Sequence, residues 1–171
     1  MITAFVRFLS LFFLTFIAVP ADAQFLRPHE PFDSSKAQSL PFTPGEIVVL
    51  GEDGQETHSF QFEVAGTDPT RSIGLMHRAE ISEDRGMLFD FKRDRKVRMW
   101  MRNTFIPLDM LFLSSDGAVV TIAKNTVPHS EKTVSSRVRV RSVLELKVGT
   151  VARLGIKTGD SVKHAIFESY D

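Results

Sequence analysis

Two arginines, Arg71 and Arg78, bracket the segment Ser72-Ile73-Gly74-Leu75-Met76-His77. Guanidinium groups held near one short helix suit a carboxylate, phosphate or sulfate, because each offers a planar, always charged fork of N–H donors. The competing use is structural, with one arginine solvated and the other in an internal ion pair. The internal partners the sequence offers are Asp109 and Glu145, set in the apolar runs Pro107-Leu108-Asp109-Met110-Leu111 and Val143-Leu144-Glu145-Leu146-Lys147. A carboxylate among such neighbours either answers a cation or carries a raised pKa that equips it as an acid or base. The pattern favours pairing, with Asp109 answering an arginine.

A second constellation lies in Arg95–Leu113, which holds the one tryptophan of the chain. Trp100 alternates with Met99 and Met101, so in a strand either Trp100 or the two methionines point outward. An outward Trp100 beside Asn103 makes a ring-stacking platform with an amide next to it. An inward Trp100 needs only a backbone partner for its indole N–H. Asn103 and Thr104 also suit a purely structural turn ahead of Pro107. The methionines could offer soft thioethers to Cu(I), but they do not cluster in a loop where ligands converge, and core packing is the stronger reading. We therefore expect no metal and no cofactor.

Other chemistries find no motif. The chain has no G-x-S-x-G, no Walker loop and no H-E-x-x-H. Its histidines (His29, His58, His77, His129, His164) are scattered. With no cysteine there is no disulfide, thiolate nucleophile or thiolate metal site. Lys and Arg together number 21 and so do Asp and Glu, a balance without the basic footprint of a general nucleic-acid binder.

The elements that must position these residues read as short strands. Glu46–Leu50 is followed by a Gly51-to-Gly54 turn and a second strand in which Phe60, Phe62 and Val64 alternate with Ser59, Gln61 and Glu63. Thr67-Asp68-Pro69 opens a helix over Thr70–Met76, in which Gly74 is costly unless a close backbone approach requires it. Met87–Phe91 is a strand, Lys92–Lys96 a charged turn and Val97–Met101 another strand. Asp116-Gly117 between Leu108–Leu113 and Ala118–Ala123 is a strong hairpin signal. Strands are expected at Val138–Val148 and Ser161–Phe167, around a helix at Thr150–Leu154 stopped by Gly155. The sum is a β-dominated α+β domain with a compact antiparallel, barrel-like sheet and two short helices.

Residues 1–23 read as a signal peptide. Arg7 precedes the apolar run Phe8–Val19, and Ala21-Asp22-Ala23 supplies the small-x-small cleavage pattern. The run falls short of the ~20 residues that span a bilayer, so export without a retained membrane anchor is expected, to the periplasm or beyond. Residues 24–43, with Pro28, Pro31 and Pro41, read as a flexible linker. One domain follows at 44–168, expected to be monomeric.

The segments Arg71–Arg78, Gly86–Phe91, Met99–Phe112 and Val143–Asp160 together resemble the DUF192 family, also called UPF0127, over about residues 44–168. It is a family of small, often exported domains without an established activity. The resemblance implies a single β-rich domain with its candidate surface around the signature polar residues. Met99 stands where relatives commonly have an aromatic residue and Arg102 where they commonly have lysine. The cysteine that relatives often carry near Val127-Pro128-His129 is absent, so a thiolate role cannot apply. The functional expectation is binding of a small polar or anionic ligand, saccharide-like or carboxylate-bearing, at a concave patch drawn from Arg71, Arg78, Trp100, Asn103, Thr104, Asp109 and Glu145. The alternatives are a hydrolase using Asp109 or Glu145 on an envelope substrate, and an accessory domain docking on another envelope protein.

Overall fold

A computed structural model describes residues 40–51 and 54–168; the expected signal peptide and all but the last residues of the expected linker lie outside them. Seven strands form one sheet in the order β5-β4-β6-β3-β2-β1-β7. They are β1 (Phe42–Gly51), β2 (Gly54–Ala65), β3 (Arg85–Met99), β4 (Leu108–Leu113), β5 (Val119–Ala123), β6 (Val134–Lys147) and β7 (Ser161–Lys163). Three short helices, α1 (Asp68–Ile73), α2 (Thr150–Arg153) and α3 (Ala165–Glu168), punctuate it. β1 begins at Phe42, four residues before the strand expected from Glu46, and takes up the last two residues of the expected linker.

The sheet curls until its two ends meet. An isolated antiparallel bridge joins Ala118, ahead of β5, to Ser161 of β7. The Val119 N–H donates to the Asp160 carbonyl (2.7 Å) and the Val162 N–H to the Gly117 carbonyl (2.9 Å). Gly117 is required at this seam: it has φ +84°, and a Cβ there would lie 2.3 Å from the Val162 carbonyl oxygen. Closure removes most of the exposed edge that an open sheet must protect. All neighbouring strands pair antiparallel except β2 and β3, which run parallel. A parallel neighbour cannot be reached by a hairpin, and the crossover carries α1.

The central strands are buried on both sides, which explains their unbroken apolar runs. All six residues of β4 are buried. Alternation divides them between two clusters. One holds Leu88, Leu111, Leu144 and Leu146 with Phe60 and Phe62. The other holds Met87, Phe89, Met110, Phe112 and Val143 with Leu75 and Met101. Of the methionines expected in the core, Met87, Met101 and Met110 are fully buried, while Met76 and Met99 are half-buried.

Three local expectations are corrected. Lys92–Lys96 is not a turn: β3 runs through it, and its pairing with β6 slips between Asp90 and Arg95. The slip is a bulge held by Asp90, whose Oδ1 accepts the Lys92 N–H (2.8 Å), with Lys92 at φ +66°. The last strand ends at Lys163 rather than Phe167, because His164 starts α3 by accepting the Ile166 N–H on Nδ1 (3.2 Å). Glu63, expected on the solvent side of β2, is buried.

Candidate functional site

α1 begins at a capping box in which the Thr67 side chain accepts the Thr70 N–H and the Thr70 side chain accepts the Thr67 N–H. The chain leaves α1 at Gly74, with φ +51° and ψ −134°. A Cβ here would sit 2.8 Å from Cζ of Phe89, so glycine lets the end of the helix press against β3. Between α1, the far half of β3 and the corner after it lies a cleft of about 240 Å³.

Three cations line the cleft: Arg71 from α1, and Arg95 and Arg98 from β3. Arg71 is held in place, donating to the Asp90 carbonyl (2.7 Å) and pairing with Asp68. Arg71 and Arg95 both lie over the Phe91 ring, 5.5 Å and 5.8 Å from its centroid. Arg98 is exposed and has no ion pair among the described residues. Behind Arg71, the buried Asp90 carboxylate meets Lys92 (2.9 Å) and Arg141 (3.4 Å). Burial works to raise the Asp90 pKa, but hydrogen bonds from Lys92 and Arg141 outweigh it and the net shift is downward.

Trp100 is 55% exposed while Met101 is buried, so the tryptophan points outward and lines the cleft with Phe91 and Thr104. The corner between them is gripped by backbone: the Asn103 carbonyl accepts the His77 N–H (2.9 Å) and the Thr104 carbonyl accepts the His129 N–H (3.1 Å). Asn103 has φ +54°, a conformation asparagine tolerates better than most residues.

Glu145, on β6, also lines the cleft. Its cross-strand neighbours are Met87 on β3 and Met110 on β4. It is 4% exposed, and no hydrogen bond or ion pair reaches its carboxyl among the described residues. Burial alone pushes its pKa up to about 8. An acid in this state is neutral through much of the physiological range and can donate its O–H.

Of the seven candidate residues, the structure brings Arg71, Trp100, Thr104 and Glu145 to this cleft. The other three serve the fold. Arg78 makes a bidentate pair with the buried Glu63, its Nη2 at 2.7 Å from Oε2. Asn103 is exposed at the corner and does not line the cleft. Asp109 answers no arginine: its Oδ1 accepts the Asn125 N–H and its Oδ2 the Val151 N–H, both at 2.9 Å. The arginine partners are therefore Asp68 and Glu63 rather than Asp109 and Glu145. Sequence reasoning missed Phe91, Arg95 and Arg98, because strict alternation would set Arg98 opposite the other two, and the register of β3 shifts both at Asp90/Arg95 and at Lys96/Arg98.

No match to a curated protein was found. Crystal structures of similar proteins include two with related sequences. One is a provisionally named transcription regulator from Sinorhizobium meliloti 1021, 44% identical, with a TM-score of 0.69, covering 75% of this chain and 99% of its own. The other is a protein of unknown function from Novosphingobium aromaticivorans DSM 12444, 34% identical, with a TM-score of 0.67, covering 80% and 100%. The model of the DUF192 family, described as an uncharacterized ACR, matches residues 48–164. That span includes the cleft, the corner and the closing seam, and the chain belongs to the DUF192 family.

Proposed function

We propose that this protein is an exported binding domain that takes a small anionic ligand with an apolar, ring-like body into the cleft beside α1. The observation that carries this reading is the convergence of Arg71, Arg95 and Arg98 around exposed aromatic surface. Asp68 is the one ion-paired acid lining the same cleft, so the cations are in excess there. Guanidinium groups bind carboxylates and related oxyanions through paired N–H donors, and the exposed Trp100 offers a flat face to the rest of the ligand, while Phe91 backs Arg71 and Arg95. Export is supported by the leader-like pattern of residues 1–23.

The hydrolytic reading needs a second free carboxylate working beside Glu145. Asp68 is taken by Arg71 and Asp109 by two backbone amides, which favours binding over hydrolysis. The regulator name carried by the S. meliloti relative would need a nucleic-acid surface, and the even charge balance of the chain does not favour one.

The test uses Trp100, the only tryptophan, as a fluorescence reporter. Benzoate is titrated into the wild-type chain and into the double variant Arg95→Ala/Arg98→Ala, with benzylammonium as the control. Saturable benzoate binding that weakens by about tenfold or more in the variant, roughly 1.4 kcal/mol, is expected, with benzylammonium inert. Equal response to both probes, or an unaffected variant, removes the reading. Export is checked separately by sequencing the N-terminus of the protein recovered from the periplasmic fraction, where Gln24 is expected first.

A further inference from the structure

The mouth of the cleft explains an anion, but not why an unpaired carboxyl lies buried within it. A buried carboxyl normally finds a donor or a cation, as Glu63, Asp90, Asp109 and Asp160 all do here. Among the described residues Glu145 has neither, although Arg71, Arg95 and Arg98 line the same cleft. Its closest pairing neighbours along the sheet are Met87 and Met110, and Val143 precedes it on its own side of β6. Leaving such a group unsatisfied is costly, and a ligand atom reaching it would relieve that cost.

We infer that Glu145 is a specificity-determining group of this cleft, acting as a neutral acid that donates its O–H to a hydrogen-bond acceptor at the far end of the ligand. The inference rests on the anion-binding reading and names the ligand class more closely: a carboxylate or similar anion at one end, an apolar body, and a carbonyl-type acceptor at the other. Two observations choose the neutral form over a carboxylate that captures an ammonium. The surroundings of Glu145 are apolar, so an ion pair there would carry the desolvation of two charges. The mouth of the cleft carries an excess of cations, which opposes entry of another.

The proton therefore belongs to the binding equilibrium. The charged groups lining the cleft with Glu145 are Asp68 and Arg71 from α1 and Arg95 and Arg98 from β3. β4 contributes Met110 beside it, while the Asp109 carboxylate is occupied by the Asn125 and Val151 amides. Among the described residues no histidine lines the cleft. Guanidinium groups keep their charge across this range, and the Asp68 carboxylate is engaged by Arg71. Glu145 is thus the group that can make binding change between pH 6 and 9.5. An acceptor ligand holds the protonated form, so its affinity falls as pH rises past the pKa of Glu145. An ammonium ligand holds the ionised form, and its affinity rises over the same range.

The experiment compares benzoate, 4-acetylbenzoate and 4-(aminomethyl)benzoate on the full chain at pH 6.5 and 9.5, in wild type, Glu145→Gln and Glu145→Ala. In wild type at pH 6.5, 4-acetylbenzoate is expected to bind at least fivefold tighter than benzoate, with the advantage lost at pH 9.5. Glu145→Gln should keep the advantage at both pH values, since the amide N–H replaces the O–H without titrating, and Glu145→Ala should lose it at both. A preference for 4-(aminomethyl)benzoate that grows with pH overturns the inference, because Glu145 then acts as an anion. Equal, pH-independent binding of all three in wild type overturns it too, while leaving the anion cleft standing if Arg95→Ala/Arg98→Ala still weakens benzoate. Failure of every probe to bind removes both readings.

Discussion

Asp109 on β4 accepts the N–H of Val151 in the first turn of α2, across 42 positions of sequence. The residue that should cap that helix is Gly149, which has no side chain and sits at φ +85°. Asp109 does the work of an N-cap from a neighbouring strand, and its second oxygen holds Asn125 in the loop after β5. The carboxylate ties three parts of the chain together, and its partners are amides rather than a cation.

Removing it should be felt as lost stability. Asp109→Ala leaves two N–H groups without their acceptor, at about 1–3 kcal/mol each, so a loss of about 2–6 kcal/mol in urea unfolding is expected. Asp109→Asn keeps one carbonyl oxygen and should lose roughly half as much. Benzoate affinity of the folded fraction should be unchanged in both. A drop in affinity without a drop in stability would put Asp109 in the binding site instead.

Glu145 predicts a pH dependence of the opposite kind from an ordinary paired carboxylate. Its folded pKa, about 8, lies above the ordinary glutamate value of 4.5, so between these values the folded protein keeps a proton that the unfolded chain has lost. Stability falls as pH rises through this window, at roughly 1.4 kcal/mol per pH unit, and the effect is complete above about pH 8. Glu145→Gln removes it. The difference in unfolding free energy between variant and wild type should be small at pH 4.5, grow toward pH 8 and then level off. Parallel pH profiles from 5 to 8 would show that Glu145 ionises normally.

The buried pair Glu63–Arg78 makes a contrasting case. Glu63 is 2% exposed, and besides Arg78 it accepts the Leu40 N–H (2.8 Å). Arg78→Ala leaves its charge buried with one amide for company, and breaking such a pair costs about 3–5 kcal/mol. Replacing both partners, as Glu63→Gln/Arg78→Met, should recover most of that loss. Thermal unfolding of the three variants decides it. If Arg78→Ala is neutral, the pair is solvated and Arg78 is free to serve a ligand.

These three cases show what the sequence could and could not convey. β4 is legible because five apolar residues in a run of six, with an Asp-Gly turn behind them, can hardly be anything but a buried hairpin strand. α1 is legible because its cap is local, written into Thr67, Pro69 and Thr70. Partners of buried charges are not local. Glu63 finds Arg78 across a parallel crossover and Asp109 finds α2 across the sheet, and neither pairing leaves a trace in spacing. The cleft was half visible for the same reason. Arg71 and Trp100 stand out by type, whereas Arg95 is hidden in a charged run that reads as a turn and Arg98 in the strand expected over Val97–Met101. Two register shifts in β3, at Asp90/Arg95 and Lys96/Arg98, which no periodicity anticipates, accompany their placement beside α1.

Gly74 offers the sharpest test of how the cleft is built. Its φ of +51° with ψ of −134° is a conformation that only glycine adopts readily, and its missing side chain leaves room for the Phe89 ring. Gly74→Ala therefore meets two separate penalties: backbone strain of about 1–3 kcal/mol, and a steric clash with Cζ of Phe89. Phe89→Leu removes the ring but cannot relieve the backbone. In a double-mutant cycle the two substitutions should be coupled, the Gly74→Ala cost being smaller by about 1 kcal/mol in the Phe89→Leu background yet still above zero. α1 should shift in Gly74→Ala alone and carry Arg71 with it, weakening benzoate binding, and Phe89→Leu should restore part of that affinity. Strict additivity in stability, with binding untouched, would mean that α1 is not held against β3 by this contact and that Arg71 owes its position to the Asp90 carbonyl alone.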